Sequence, residues 1–186
     1  MKVILASQSP RRRELLGLIK KEFLVVPADI NEEVLAGENP ETYVKRMAAE
    51  KAQVIAQQYP EDLIIGSDTI VVNEDRILGK PTSRQEAKEM LLGMSGRTHE
   101  VYTAVHICSA THSETFICSA SVTFYELTEE EIESYLAREE YADKAGAYGI
   151  QGGAAVFVKD VKGDYYSIVG FPVGAVNQAM KKFTTI

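Results

Sequence analysis

The sequence predicts an α/β fold built on a mixed, twisted sheet, and two patterns support this prediction. In the first half, short apolar strands alternate with amphipathic helical stretches, as they do in βαβ units. From Thr98 to Leu127, apolar and polar residues alternate instead, which predicts two long strands joined as a hairpin around 112–114. Because both patterns occur in one chain, we expect parallel and antiparallel strands in the same sheet.

Local signals place the elements along the chain. Ser9 is a good helix N-cap and Pro10 a good first helical residue, so a helix is expected after a strand at 2–6. A second helix at 40–59 carries an apolar stripe at helical spacing, whose members are Val44, Met47, Ala48, Lys51, Ala52 and Ile55. The other predicted elements are strands at 23–26, 63–72 and 154–158, helices at 83–94, 128–138 and 172–183, and turns at 73–75 and 162–164.

Length and composition predict one globular domain over residues 1–186. Of the 186 residues, 45% are hydrophobic and 25% are charged, which is ordinary for a globular protein. The net charge of -7 argues against nucleic acid and membrane partners, which usually meet an excess of Lys and Arg. The apolar start is too short for a signal peptide and no run approaches the roughly 20 residues of a membrane span, so we expect a cytoplasmic protein.

The two cysteines and His99 are interpreted as structural residues. Cys108 and Cys118 fit no zinc-ligand spacing, so both are expected to be inert strand residues. They would lie opposite each other if the hairpin centred near Ser113, but a disulfide is not expected in a reducing compartment.

The stretch Ser7-Gln8-Ser9-Pro10-Arg11-Arg12-Arg13 has the features of an anion site. It leads from a strand into a helix N-terminus, where free amides and the helix dipole favour negative charge. Ser7 and Ser9 add hydroxyl groups, and the three arginines add guanidinium groups suited to phosphate. Cations at this end of a helix are unfavourable unless an anion compensates them. The alternative interpretation is a solvated basic turn.

Asp68 is the main candidate for a chemical role because it lies within the apolar strand at 63–72. A carboxylate held away from water needs a metal, a cation or hydrogen bonds. Strand alternation places Gly66 on the same face, where it is expected to leave room for a ligand beside the carboxylate. The chemical interpretation is a general base or metal ligand, and the alternative is a carboxylate that caps a loop.

Three further positions give weaker signals. Lys80, between Gly79 and Pro81, has a compact charge suited to phosphate, although a surface lysine in a turn has the same pattern. Glu32 and Glu33 lie in an acidic loop at 29–33 and could complete a magnesium site, although such carboxylates are more often solvated charges. Gln151 follows a glycine-rich stretch and offers both a donor and an acceptor for a base edge, although a glycine-rich turn without function explains the pattern nearly as well.

Taken together, these motifs resemble the Maf (septum formation) family. The matching motifs run in the expected order along nearly the whole chain: Ser7-x-Ser9-Pro10-Arg11-Arg12, Gly66-Ser67-Asp68-Thr69, Gly79-Lys80-Pro81, Ser95-Gly96-x-Thr98-His99, Asp143-Lys144-Ala145-Gly146 and Val169-Gly170-Phe171-Pro172. Each motif alone is weak, and their combination is specific. Ser67, Phe171 and Arg13 depart from the family's usual pattern, but none of them removes a proposed chemical group.

The resemblance implies a fold related to the inosine triphosphate pyrophosphatases, with two lobes around a cleft and a homodimeric assembly. It also implies that the protein uses a divalent metal, Mg²⁺ or Mn²⁺, to cut a nucleoside triphosphate into monophosphate and pyrophosphate. The family's catalytic aspartate falls on Asp68, and its specificity positions fall on Arg11, Thr69 and Gln151. Glu32 and Lys80 match further cleft positions. The stretch at 148–152 is similar to the branch that acts on dTTP and UTP.

The expected mechanism combines these groups. The amides after Ser9, with Arg11 and Lys80, would hold the phosphates while Asp68 activates the attacking water and Glu32 helps to bind the metal. Two alternatives differ in class. One is a regulator of cell division that binds a nucleotide without turnover. The other, an enzyme that releases orthophosphate, is disfavoured because the chain has no G-x-x-x-x-G-K-[ST] loop.

Overall fold

The computed structural model describes residues 1–183 and confirms the mixed α/β fold. Over these residues, seven strands form one sheet in the order β2-β1-β3-β5-β6-β7, with β4 paired to β3. The strands are β1 (Val3–Ala6), β2 (Leu24–Val25), β3 (Leu63–Asn73), β4 (Arg76–Leu78), β5 (Thr98–Cys108), β6 (Ser113–Phe124) and β7 (Val158–Gly163). The helices are α1 (Pro10–Gly17), α2 (Pro40–Ala56), α3 (Arg84–Met94), α4 (Glu129–Leu136), α5 (Tyr165–Val169) and α6 (Val173–Lys181).

Both kinds of strand pairing occur. Strand β1 runs parallel to β2 and β3, and its pairing with β3 joins Ala6 to Gly66 at the end of the ladder. Strands β3 and β4 form an antiparallel hairpin whose two turn residues, Glu74 and Asp75, have φ angles of 50° and 63°. Positive φ at both central residues matches the right-handed twist of paired strands.

The chain divides into two compact units. Among the described residues, the first unit contains 1–68, 103–118 and 170–183, and the second contains 69–102 and 119–169. Strands β3, β5 and β6 each contribute to both units. A core cluster of the first unit consists of Ile4, Ala6, Ala52, Ile55, Ile64 and Cys108. In the second unit, the largest buried side chains are aromatic or leucine residues and include Phe124, Phe157 and Leu91.

Local capping signals gave the helix starts correctly. Ser9 caps α1 and Ser83 caps α3, each accepting a hydrogen bond from a backbone amide three residues later. Thr128 and Glu131 form the reciprocal capping box that begins α4. Gly96, with φ of 67°, follows the end of α3 as expected. Within residues 1–183, no helix combines the length and the apolar character needed to cross a bilayer.

Two sequence expectations about local structure were wrong. Residues 153–157 form a 3₁₀ turn rather than a strand, and the strand begins only at Val158. A short apolar run does not distinguish a strand from a buried turn, because apolar side chains are buried in either structure and the run is too short to show a periodicity. The hairpin turn of β5 and β6 lies at 109–112, where Ser109 N–H donates to the His112 carbonyl. Cys108 is buried, Cys118 is partly buried, and no disulfide joins them.

The stripe of α2 is buried as predicted, and Gly66 explains how closely the helix packs on β3. A Cβ atom at Gly66 would overlap the Ala48 carbonyl oxygen and would lie 2.8 Å from the Ala52 amide nitrogen. The space beside Gly66 is therefore filled by helix backbone, and the expectation that it leaves room for a ligand was wrong. The glycine instead brings α2 onto the strand that carries Asp68.

We predict that Gly66→Ala lowers the free energy of unfolding by about 1–3 kcal/mol or more, because overpacking against backbone cannot be relieved by a rotamer change. Gly17→Ala is the matched control, since a Cβ atom at Gly17 meets nothing within 4 Å. Urea denaturation of both variants is the measurement. Equal stability of Gly66→Ala and the parent would show that the close approach of α2 and β3 is wrong.

Candidate active site

The carboxyl end of β1 and the part of β3 that follows their parallel pairing build the candidate site in the first unit. Ser7 follows the last paired residue of β1, and Ser67 and Asp68 follow Gly66 in β3. Ser7, Ser67 and Asp68 are all buried, at 5%, 0% and 8% exposure. In open α/β sheets, ligands bind outside the carboxyl ends of such strands. Three polar side chains buried at this edge therefore mark it as a candidate site.

The start of α1 is fixed by hydrogen bonds from the two predicted serines. Ser7 Oγ accepts from the Ser9 amide at 3.1 Å, and Ser9 Oγ accepts from the Arg12 amide at 3.4 Å. A serine hydroxyl that accepts a bond still has its proton to donate. Both hydroxyls are thus held in place with a donor remaining for an anion.

Arg12 connects the start of α1 to the end of the chain. Its Nε donates to the Gly170 carbonyl at 2.8 Å, and its Nη1 donates to Ser7 Oγ at 3.4 Å. Ser67 Oγ donates to the same Gly170 carbonyl at 3.4 Å. Burial lowers the pKa of Arg12 from its ordinary value, while the negative charge of Asp68 raises it. The charges of Arg12 and Asp68 therefore interact.

The residue that sequence reasoning missed is Lys51. It is only 8% exposed, and its Nζ lies 2.7 Å from Asp68 Oδ1 and 2.9 Å from Glu32 Oε1. A buried ammonium group needs anionic partners, and these two carboxylates supply them. The signal was present in the sequence, because Lys51 is the charged member of the apolar stripe on α2.

The loop that carries Glu32 is attached to α2 by two side chains. Tyr43 Oη donates to the Glu32 carbonyl at 2.8 Å, and burial raises the pKa of Tyr43 to about 12, so it remains a donor. Arg46 Nη2 donates to the Glu33 carbonyl at 2.9 Å. The same arginine binds both carboxylate oxygens of Glu38 at 2.7 Å and holds the pKa of Glu38 at about 2. These bonds place the Glu32 carboxylate beside Lys51.

The two carboxylates on Lys51 fit the donor set of a magnesium ion. Asp68 and Glu32 each place an oxygen within 3 Å of one nitrogen atom, so they are close enough to share a cation. Magnesium commonly takes one or two carboxylates and completes its shell with waters and substrate phosphates. The Glu32 side chain is half-exposed, so a metal ion from solvent can reach its carboxylate. Within residues 1–183, no group of three or more Cys, His, Asp or Glu residues is arranged around a metal position.

The second unit contains three more of the predicted site residues, Thr69, Lys80 and Gln151, whereas Arg11 lies in α1 of the first unit. Thr69 follows Asp68 in β3 and is half-buried. Lys80 is exposed beyond β4, and Gly146 N–H donates to the carbonyl of the preceding Gly79 at 3.1 Å. Gln151 is exposed. The hydrogen bond at Gly79 brings the segment of Lys80 beside the glycine-rich stretch that leads to Gln151.

Comparison with known proteins then decides the family. The sequence profile described as "Maf-like protein" matches residues 2–183. The chain belongs to the Maf family. It is 48% identical over 182 residues to a dTTP/UTP pyrophosphatase of Bacillus cereus strain B4264, covering 98% of this chain and 95% of that protein. A Bacillus cytotoxicus protein of the same name is 49% identical with the same coverage.

A search of solved structures gives a weaker likeness. The Staphylococcus aureus Ham1 protein superposes with a TM-score of 0.49 and 14% sequence identity, covering 67% of this chain and 72% of that chain. The assignment of this chain to the Maf family depends on its sequence.

We predict that Arg46→Met releases the loop at 29–38 from α2. The variant removes both bonds to Glu38, whose Oε2 also accepts from the Leu35 amide at 3.0 Å. A hydrogen bond to a charged group contributes about 1.5–3 kcal/mol, so the Leu35 amide should exchange with solvent about tenfold faster or more. Hydrogen exchange measures this, with Lys45→Met on the exposed side of the same helix as the control. An unchanged exchange rate would mean that Arg46 does not hold the loop.

Proposed function

We propose that this Maf protein is a metal-dependent pyrophosphatase that hydrolyses dTTP and UTP to the nucleoside monophosphate and pyrophosphate. The observation that carries the proposal is the convergence of Asp68 and Glu32 on Lys51, at the strand edge where the arginine-rich helix begins. Relatives that match almost the whole chain carry the name dTTP/UTP pyrophosphatase. This similarity supports a catalytic role over a regulator that only binds nucleotide.

The helix start supplies the phosphate-binding groups in this proposal. Helix α1 has no acidic residue in its first turn, and Arg11, Arg12 and Arg13 follow directly after Pro10. The free amides at the start of α1 and the hydroxyl groups of Ser7 and Ser9 donate to phosphate oxygens. Arg11 and Arg12 compensate the negative charge of the phosphates. Lys80 adds a further cation, and Thr69 and Gln151 contact the nucleoside.

Asp68 is the proposed catalytic base. Its Oδ1 is bound by Lys51, and its Oδ2 accepts a proton from the attacking water. The water oxygen then bonds to the α-phosphorus, and the bond from that phosphorus to the bridging oxygen of the β-phosphate breaks. Pyrophosphate leaves with the electron pair of that bond, and the monophosphate retains the water oxygen.

Glu32 and Asp68 are the proposed ligands of the divalent ion, Mg²⁺ or Mn²⁺. When bound, the ion neutralises the phosphates and stabilises the charge that develops on the leaving group. Lys51 compensates the negative charge of both carboxylates and keeps them close together in the absence of the ion.

The direct test is Asp68→Asn, which nearly preserves shape and removes the base. We predict that pyrophosphate release from dTTP and UTP with Mg²⁺ falls at least about 100-fold, as expected when a general base is lost. The control is Asp75→Asn in the exposed β3–β4 turn, where asparagine tolerates the positive φ. The assay quantifies monophosphate and pyrophosphate, which should form in equal amounts.

Two results would contradict the proposal. Release of orthophosphate in place of pyrophosphate would assign a different reaction, and parent-like turnover by Asp68→Asn would remove Asp68 from catalysis. Nucleotide binding by the parent without any product would favour the regulatory alternative.

A further inference from the structure

A buried aromatic cluster in the second unit surrounds the segment that leads to Gln151. His99, which is 1% exposed, places Nε2 2.7 Å from Tyr148 Oη. The His99 ring lies edge-on to Phe124 and Tyr148, with ring centroids 4.8 and 5.4 Å apart. Burial lowers the pKa of His99 to about 4, so the ring is neutral at pH 7. The proposed catalytic mechanism assigns no role to His99 or to the motif that contains it.

Tyr135 of α4 holds the same segment through the main chain. Its Oη donates to the Ala147 carbonyl at 3.2 Å. Burial raises the pKa of Tyr135 to about 12, so its hydroxyl group remains a donor. This hydroxyl group therefore holds the residue that precedes Tyr148.

The backbone between these contacts is strained. Gly146 and Ala147 have φ angles of 68° and 63°, and Ala147 is fully buried. The left-handed region is unfavourable for alanine and persists only where neighbouring contacts enforce it. At Gly146 the position of a Cβ atom is filled by Val71, 2.9 Å away. Residues held in such conformations cluster at active sites and ligand-binding segments.

The other end of the segment is anchored as well. Gly149 and Gly152 close a turn through an N–H to carbonyl bond of 3.0 Å, and Gln151 lies within this turn. Gly153 N–H donates to Glu140 Oε2 at 2.7 Å. Gln151 is exposed, yet the backbone that carries it is fixed on both sides.

A glutamine can distinguish bases only if its amide is fixed in place. The amide offers a donor and an acceptor that exchange positions when it rotates, so it can satisfy either uracil or cytosine. Uracil and thymine present an N–H donor beside an oxygen acceptor, and cytosine presents the reverse arrangement. We propose that His99 and Tyr135 are positioning residues for base selection, which hold the turn so that Gln151 favours uracil and thymine. This inference rests on the proposed function and on Gln151 as the residue that contacts the base.

The experiment compares kcat and KM for UTP and CTP, which differ only at this base edge. The variants Tyr135→Phe and Tyr148→Phe each remove one hydroxyl, Gln151→Ala removes the reader, and Tyr125→Phe is the control on an exposed tyrosine. We expect Gln151→Ala to lower the UTP to CTP ratio of kcat/KM by about tenfold or more, in the range of lost base contacts. The two hydroxyl variants should lower it in the same direction, mainly through KM for UTP, and Tyr125→Phe should not.

The outcomes separate positioning from a general structural role. Loss of folded enzyme reduces the apparent kcat for UTP and CTP equally, so it leaves the UTP to CTP ratio of kcat/KM unchanged. The positioning role is overturned if Gln151→Ala changes the UTP to CTP ratio of kcat/KM and neither hydroxyl variant changes it. If Gln151→Ala leaves this ratio unchanged, Gln151 is not the residue that contacts the base. Hydrogen exchange at 149–152 should be faster in Tyr135→Phe, and unchanged exchange would by itself overturn the positioning role of Tyr135. A parent protein that releases no pyrophosphate would instead overturn the proposed function.

Discussion

The candidate site depends on the buried ammonium group of Lys51. A lysine on the apolar face of α2 is unfavourable unless anions neutralise it, and Asp68 and Glu32 both do so. Gly66 makes this arrangement possible, because any side chain there would push α2 away from β3. The same three-way contact explains why a carboxylate can remain within a buried strand and why an acidic loop folds back onto α2.

The rest of the site is built around this ion cluster. The negative charge of Asp68 acts on the Arg12 guanidinium group. The hydrogen bond from Arg12 to the Gly170 carbonyl connects the start of α1 to the segment before α6. The site thus contains positive and negative side chains side by side. Electrostatic groups held in place before substrate binds need no reorganisation during reaction, which is the main source of catalysis in phosphoryl transfer.

Sequence patterns predicted the elements better than the contacts between them. Helix caps at Ser9 and Thr128 and the apolar run of β3 are local signals, so the sequence alone located them. The purpose of Gly66 and the partners of Lys51 depend on tertiary packing, which periodicity does not contain. The predicted strand at 154–158 was wrong because its apolar run fits a 3₁₀ turn equally well. The roles of Lys80, Thr69 and Gln151 in substrate binding stay predictions.

A double-mutant cycle on Lys51 and Asp68 tests the central claim most directly. The free energies of unfolding of Lys51→Met, Asp68→Asn and the double variant are measured by urea denaturation. If the two groups form a buried ion pair, each single change leaves a charge with a lost partner, and the double variant is less destabilised than the sum by about 1 kcal/mol or more. Additive effects within about 0.5 kcal/mol would contradict the account, because Lys51 would then not be the cation that organises the site.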